Sequence, residues 1–262
     1  MQAQKAKRFP WRPFWSAVAW GMAAGSIGPP ALGAQEDAAV GNEYRLTLSQ
    51  HHAIKGYLTG FSQLEYRANP AQDYRAYQVL WPGLTYSVRA WLQLSGGLLT
   101  RYTDNGQSAD TLELRPFAGV QFLMRNMSKW NFYNATRYEF RDTEDLTTHE
   151  WTGCGRLRSR FGIRIPLTSR EQAWHSKTWF ALAEVEPCYR FDDDTIDPLY
   201  VRGGVGRVLS DRIRLELVYS AQFTRSNPGP LQHHNNIVQL NISLGLGKGI
   251  LQRALHGEGA GD

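Results

Sequence analysis

Cysteine is scarce in this sequence: among 262 residues only Cys154 and Cys188 occur, so the chain can close at most one disulfide. Long hydrophobic runs are also scarce. After residue 34 no stretch approaches 18 uninterrupted apolar residues, which excludes a membrane-spanning helix from that part of the chain. Helical periodicity is missing after residue 42, so nothing there reads as a helix bundle. Net charge nearly vanishes once the first 34 residues are set aside. They hold Lys5, Lys7, Arg8 and Arg12 and no acid, which leaves 25 basic against 24 acidic residues. The overall pI of about 9.2 comes mostly from this leader, and no nucleic-acid partner is expected from it.

What is present begins with that leader. Its basic residues precede an apolar run at 14–28, and PPALGA ends at Ala34. This order predicts a secretory signal over 1–34, cleaved after Gly33 or Ala34. The alternative is an uncleaved anchor, but the run is short and interrupted by glycine. Residues 35–42 then form a short periplasmic segment, 43–246 the folded body and 247–262 a C-terminal tail.

Through the body one pattern recurs: a long alternating segment, then a turn. These segments occupy 43–50, 57–67, 74–89, 91–102, 111–125, 130–141, 151–167, 179–191, 199–209, 213–223 and 236–246. Their aromatic and β-branched content predicts strands. Connections alternate in length. Short ones fall at Val88–Trp91, Asn126–Lys129 and Ser210–Arg212, with a somewhat longer one near 168–177. Longer polar ones fall near 68–73, 103–110, 142–150, 192–198 and 224–235. That is an up-and-down antiparallel meander. Its strands exceed the usual five or six residues of soluble sheets and suit a tilted bilayer crossing of about 9–11 residues.

Side chains on a strand alternate between faces, so parity sorts them. On 213–223 one parity reads Ile213, Leu215, Leu217, Tyr219, Ala221, Phe223, and the other holds Arg214, Glu216, Ser220 and Gln222. A soluble barrel would hide the apolar parity; a membrane barrel turns it outward to lipid. The leader, the strand length and the aromatics near strand ends (Trp91, Tyr102, Trp130, Phe140, Trp151, Trp179, Tyr189, Phe191) favour the second. The expected fold is therefore all-β: a transmembrane up-and-down antiparallel barrel of about 10–12 strands with an Arg/Glu-rich lumen. A secreted lipocalin-like barrel or sandwich is the alternative. Eleven segments is an odd number for a bacterial barrel. Either 43–50 lies outside the wall, leaving ten, or one strand is hidden and there are twelve.

The segment 151–167 places Arg156, Arg158, Arg160 and Arg164 on one parity. If it pairs with 179–191 around a turn near residue 171, Cys154 faces Cys188, Arg156 faces Glu186 and Arg158 faces Glu184. This register predicts a possible disulfide, with two buried free thiols as the alternative, and it gives Arg160 and Arg164 no acidic partner within the hairpin. The charged lumen set comprises these four arginines, Glu184 and Glu186, together with Arg115, Arg137, Glu139, Arg141, Arg214 and Glu216, and the same parity also collects Glu65, Arg67, Arg75, Arg89, Arg101, Glu113, Arg190 and Arg202. Arginine suits such a place because its planar fork holds several hydrogen bonds at once. Two roles follow. The set is a structural lattice filling the lumen, or its unpaired arginines line a narrow anion-favouring passage.

The strands YQVLWPGLTYSV, WLQLSGGLLTRY, YNATRYEFR, GRLRSRFGIRIPL, YVRGGVGRVLSDRIRLELVYSAQF and HHNNIVQLNISLGL, taken in order, resemble the domain-of-unknown-function 2490 family over roughly residues 43–246. The resemblance implies a bacterial outer-membrane β-barrel and brings no activity or catalytic residues with it. Its implied partners are outer-membrane lipid, lipopolysaccharide and the barrel-assembly machinery. The chain departs from many such barrels by continuing past its last strand as GKGILQRALHGEGAGD.

No enzyme, metal or cofactor is expected. A lipid-modifying hydrolase is the alternative; on one strand face it would show its base and nucleophile in an order such as His-x-Ser, and no His-x-Ser occurs. His51 and His52 are placed after the first strand; His149, His175, His233 and His234 fall in turns or loops, and His256 in the tail. The acidic loop 192–197 is read as solvated rather than as a calcium site. Gly203, Gly204 and Gly206 lie in a strand, without the strand–helix setting of a phosphate loop.

Overall fold

The computed structural model describes residues 40–106, 108–125, 130–168, 177–192, 194–225, 229–247 and 250. All eleven segments are strands: β1 (Gly41–Lys55), β2 (Leu58–Asn69), β3 (Tyr74–Arg89), β4 (Leu92–Asp104), β5 (Thr111–Arg125), β6 (Asn131–Asp145), β7 (Trp151–Pro166), β8 (Trp179–Arg190), β9 (Thr195–Ser210), β10 (Ile213–Arg225) and β11 (Leu231–Leu246). Each pairs with its chain neighbours, and β1 meets β11 to close the barrel. Several strands run further than alternation shows. β6 continues to Asp145 and β11 starts at Leu231, where polar residues on both faces hide the alternating signal, and β9 starts at Thr195, inside the stretch expected to be an acidic loop.

Closure corrects the strand count. β1 is part of the wall, antiparallel to β2 and parallel to β11, from Gly41↔Asn235 to His52↔Leu246. An antiparallel seam needs an even number of strands; a parallel seam closes an odd number. The count of eleven therefore needs neither an omitted nor a hidden strand. It also sends the wall's two ends to opposite rims. Gly41 lies at the rim carrying the longer connections (the loop rim), and Leu246 at the rim of short turns (the turn rim). His51 and His52, expected beyond the first strand, lie within β1.

Burial is inverted relative to a soluble barrel. Outside, Leu46, Leu64, Val79, Trp81, Phe161, Leu217 and Tyr219 are exposed; inside, Glu43, Glu65, Glu113, Arg115, Glu139, Arg156, Glu186, Arg202, Arg214 and Glu216 are buried. The alternation of β10 maps cleanly onto this. Arg214, Glu216, Val218 and Ser220 are buried, while Ile213, Leu217 and Tyr219 are exposed.

The β7–β8 register differs from the expected one by four residues. Arg156 is opposite Arg190, Arg158 opposite Cys188 and Gly162 opposite Glu184. Cys154 lies opposite Arg141 on β6, and both cysteines are free. A four-residue offset separates the cysteines by roughly 13 Å along the strands, beyond the reach of a disulfide. The expected pairs Arg156–Glu186 and Arg158–Glu184 are not directly opposed. A slip by an even number keeps every side chain on its face, so alternation cannot detect it.

Toward the turn rim the interior becomes apolar. Phe180, Leu182, Val208 and Val218 form a buried cluster. Gly206 makes room for it, since a Cβ there would lie 2.2 Å from the Phe180 ring.

Candidate functional site

The charged interior is built from a two-residue spacing. Residues i and i+2 on a strand share a face about 6.7 Å apart, a span that arginine and glutamate bridge. Arg45 Nε donates to Glu43 at 2.5 Å, Arg67 Nε to Glu65 at 2.5 Å, and Arg137 Nε lies 2.5 Å from Glu139. Arg115 binds Glu113 through Nε and Nη2, and Arg214 lies 3.3 Å from Glu216. Five strands thus each carry their own Arg–Glu pair.

Contacts across strands join these pairs into a lattice. Glu113 also meets Arg141 and, at 3.7 Å, Arg101. Glu139 receives Arg156 at 2.7 Å and lies 3.6 Å from Arg158. Glu186 is shared by Arg158, Arg160 at 2.5 Å and Arg202 at 2.9 Å. Glu184 accepts a hydrogen bond from Tyr133 and lies within 3.8 Å of Arg160, Arg164 and Arg202. Arg164 approaches Glu216 at 3.9 Å and stacks over the Tyr133 ring at 4.3 Å. Arg160 and Arg164, expected to find no acidic partner within the hairpin, meet Glu184 and Glu186 of β8, and Arg164 also meets Glu216 of β10.

Among the described residues this lattice contains twelve arginines (45, 67, 101, 115, 137, 141, 156, 158, 160, 164, 202, 214) and seven glutamates (43, 65, 113, 139, 184, 186, 216), an excess of five positive charges. Since the chain after residue 34 is nearly neutral, acidic side chains are concentrated elsewhere. Asp73, Asp104, Asp110, Asp145, Asp192 and Asp194 lie at the loop rim. The Nε of Arg158, the Nε of Arg164, and Nε and Nη1 of Arg214 are buried without a hydrogen-bond partner among the described residues. Each of these arginines also has a carboxylate within salt-bridge distance, and Glu216 Oε1 is likewise buried without a hydrogen bond among the described residues. Because burial of a charge is costly unless it is paired, such an interior attracts counter-charge.

Two interior cavities adjoin the lattice. One of about 360 Å³ opens at the loop rim and, among the described residues, is lined by eight arginines and two acids, Glu43 and Asp197. The other, of about 330 Å³, lies between the lattice and the apolar cluster and includes His51, Phe61, Leu182 and Val218 in its lining. Arg45, Arg67, Arg115 and Arg158 line both, so these four form a septum between them.

All twelve charged residues singled out from the sequence face this interior. Arg115 and Arg158 sit in the septum, Arg141 and Arg156 on the loop-rim side, and Arg137, Arg160, Arg164, Glu184, Arg214 and Glu216 on the turn-rim side. Glu139 and Glu186 lie behind the arginines, 1% and 2% exposed. Of the other residues read on that parity, Glu65, Arg67, Arg101, Glu113 and Arg202 join the lattice, while Arg75 and Arg89 are exposed; missing from it were Glu43 and Arg45. Their signal was available as the repeated Glu-x-Arg spacing at 43–45, 65–67 and 113–115.

Cys188 is buried beside the loop-rim cavity. His51 stacks on Phe61 at 6.0 Å, His149 meets Glu144 at 3.1 Å and His233 packs on Phe223; His175 and His256 lie outside the described residues. Among the described residues no group of three or more His, Cys, Asp or Glu side chains is arranged to hold a metal ion.

No curated protein matches the sequence. A family model described as a protein of unknown function (DUF2490) matches residues 44–233, which span most of the wall from β1 into β11. With that match covering more than half of the chain, this eleven-stranded barrel belongs to the DUF2490 family.

Proposed function

We propose that the chain is a bacterial outer-membrane β-barrel whose positively charged interior forms a narrow, anion-favouring passage. One observation carries this reading: a closed sheet turns its apolar face outward and its charged face inward. In water that arrangement would expose the greasy wall. In a bilayer it matches the solvent on both sides, and closure satisfies the backbone without an edge. Aromatic positions support the same setting. Tyr66, Tyr77 and Tyr102 occupy consecutive ladder positions near the loop rim, while Trp91, Trp130 and Trp179 lie at the turn rim. Tyr77 and Tyr86, both exposed on β3, are separated by roughly 23 Å along the barrel axis at a strand tilt of about 40°, close to the ~25 Å apolar band of such barrels.

In this setting residues 1–34 act as a cleaved export signal, the barrel-assembly machinery inserts the chain, and lipid and lipopolysaccharide surround the wall. The short turns then face the periplasm. The parallel seam puts Leu246 on that side and Gly41 at the outer rim. The reading assigns the chain no reaction.

Selectivity follows from the excess of lattice arginines, and low conductance from the four-arginine septum. The test is a reversal-potential measurement on purified barrel in planar bilayers under a potassium chloride gradient. Small, anion-selective currents are expected. Cation selectivity, or intact inserted barrel with no current, would sink the passage and leave the lattice a purely structural filling.

A further inference from the structure

We infer that the loop-rim cavity is a binding site for a compact anion carrying two or more phosphate or carboxylate groups. The inference rests on the reading of the interior as an anion-favouring compartment, and deepens it by naming what the compartment holds.

The lining separates acids from bases: Arg101, Arg115, Arg141, Arg156 and Arg158 line the cavity, and the carboxylates they pair with, Glu113, Glu139 and Glu186, do not. Glutamate is short and stays against the wall: Glu113, Glu139 and Glu186 are 3%, 1% and 2% exposed. Arginine is longer and reaches past them toward the axis. As a result eight arginines line the cavity, against Glu43 and Asp197. The wall carboxylates hold the guanidinium groups by one edge. Arg156 places Nε and Nη2 on a single oxygen of Glu139, both at 2.7 Å. Arg101 places Nε and Nη2 on the Gln78 side-chain oxygen at 3.2 and 2.8 Å. A guanidinium has five N–H donors, so each retains donors beyond those contacts, already oriented. Pre-positioned forks of this kind recognise phosphate and carboxylate groups bidentately.

Charge and volume set the ligand class. Among the described residues Glu113 is the carboxylate within 4 Å of Arg101, Arg115 and Arg141, all three lining the cavity, so this group of four side chains has a net charge of two positive. A single monoanion leaves most of the surplus unmatched. The cavity's 360 Å³ lies near the lower limit of ligand pockets, which restricts the occupant to a compact molecule. Asn69, Gln72 and Asn235 add neutral polar groups for its hydroxyl or amide functions. The septum narrows the lumen below the cavity, so a ligand larger than a small ion enters and leaves by the loop rim.

The test uses the full chain without its leader, refolded in zwitterionic micelles, and isothermal titration with sodium pyrophosphate and, separately, sodium citrate in a chloride background. Saturable binding near one equivalent is expected. The variant Arg101→Gln/Arg141→Gln leaves Glu113 paired with Arg115 and should weaken binding at least tenfold. Arg190→Gln, at the mouth, should weaken it several-fold and serves if the double variant does not fold. Lys55→Gln/Arg212→Gln makes the same charge change at the turn rim and should leave affinity within twofold. Pyrophosphate binding alone identifies phosphate as the recognised group; binding of both identifies the shared oxyanion chemistry. Absence of saturable binding to folded barrel overturns the inference, as does equal loss in both double variants, which would mean diffuse charge attraction. Neither failure touches the passage, which the reversal potential judges separately.

Discussion

Replacing Glu139 by glutamine isolates the lattice as a source of stability. Glu139 is 1% exposed and meets Arg137 at 2.5 Å, Arg156 at 2.7 Å and Arg158 at 3.6 Å. Glutamine keeps the shape and one acceptor oxygen but removes the charge that compensates three guanidinium groups. Arg158 retains Glu186, so its loss is partial. Arg156 loses the carboxylate that receives both its Nε and Nη2. Removing one partner of a buried ion pair costs about 3–5 kcal/mol, because the remaining charge stays buried. For a barrel of this size that corresponds to a fall in melting temperature of roughly 6–20 °C. Asp73→Asn gives the contrast: its pair with Arg75, at 3.6 Å, is mostly exposed, and such pairs contribute about 0–1 kcal/mol. The assay is urea unfolding in micelles, read by tryptophan fluorescence and by the mobility of unheated samples in gels. Adding Arg156→Gln to Glu139→Gln should recover part of the loss, since the stranded charge is then gone. If Glu139→Gln and Asp73→Asn unfold together, the lattice is not what holds the interior.

The cysteines should stay reduced after mild oxidation, and Cys188, buried at 1% exposure, should react with a maleimide only after unfolding; an oxidised monomer with altered mobility would refute the observed β7–β8 register. Leu64, exposed on β2, should tolerate arginine poorly, with a cost of about 2–4 kcal/mol in bilayers if it sits near the midplane; full tolerance would count against lipid at that surface. In a cysteine-free background, Leu46→Cys and Leu240→Cys, partners across the parallel seam, should join efficiently through a short bismaleimide. Only slow, concentration-dependent joining would mean that β1 lies outside the wall.

The wall was legible because its physics has a period of two. β10 shows it in sequence and again in burial, Arg214 and Glu216 inside, Leu217 and Tyr219 outside. The register of β7 on β8 was not legible, since a four-residue slip preserves every face and only the actual course of the connection decides it. β1 was recognised as a strand, but its parallel union with β11 depends on the far end of the chain and leaves no local mark. The apolar floor was hidden for another reason. On WFALAEVE, Phe180 and Leu182 share the lumen parity with Glu184 and Glu186, while the opposite parity is apolar as well. Sequence showed which residues were charged and inward; it did not show that Glu113, Glu139 and Glu186 would each gather three arginines.

The most direct measurement is a spin-label scan of β10 in bilayers, one cysteine at a time from residue 213 to 223, comparing collisions with oxygen and with a water-soluble nickel chelate. The inside-out barrel predicts strict alternation: Ile213, Leu215, Leu217, Tyr219, Ala221 and Phe223 reached by oxygen from the lipid, and Arg214, Glu216, Val218, Ser220 and Gln222 shielded from it. Nickel access at the first set, with oxygen no higher there than at the second, would contradict it.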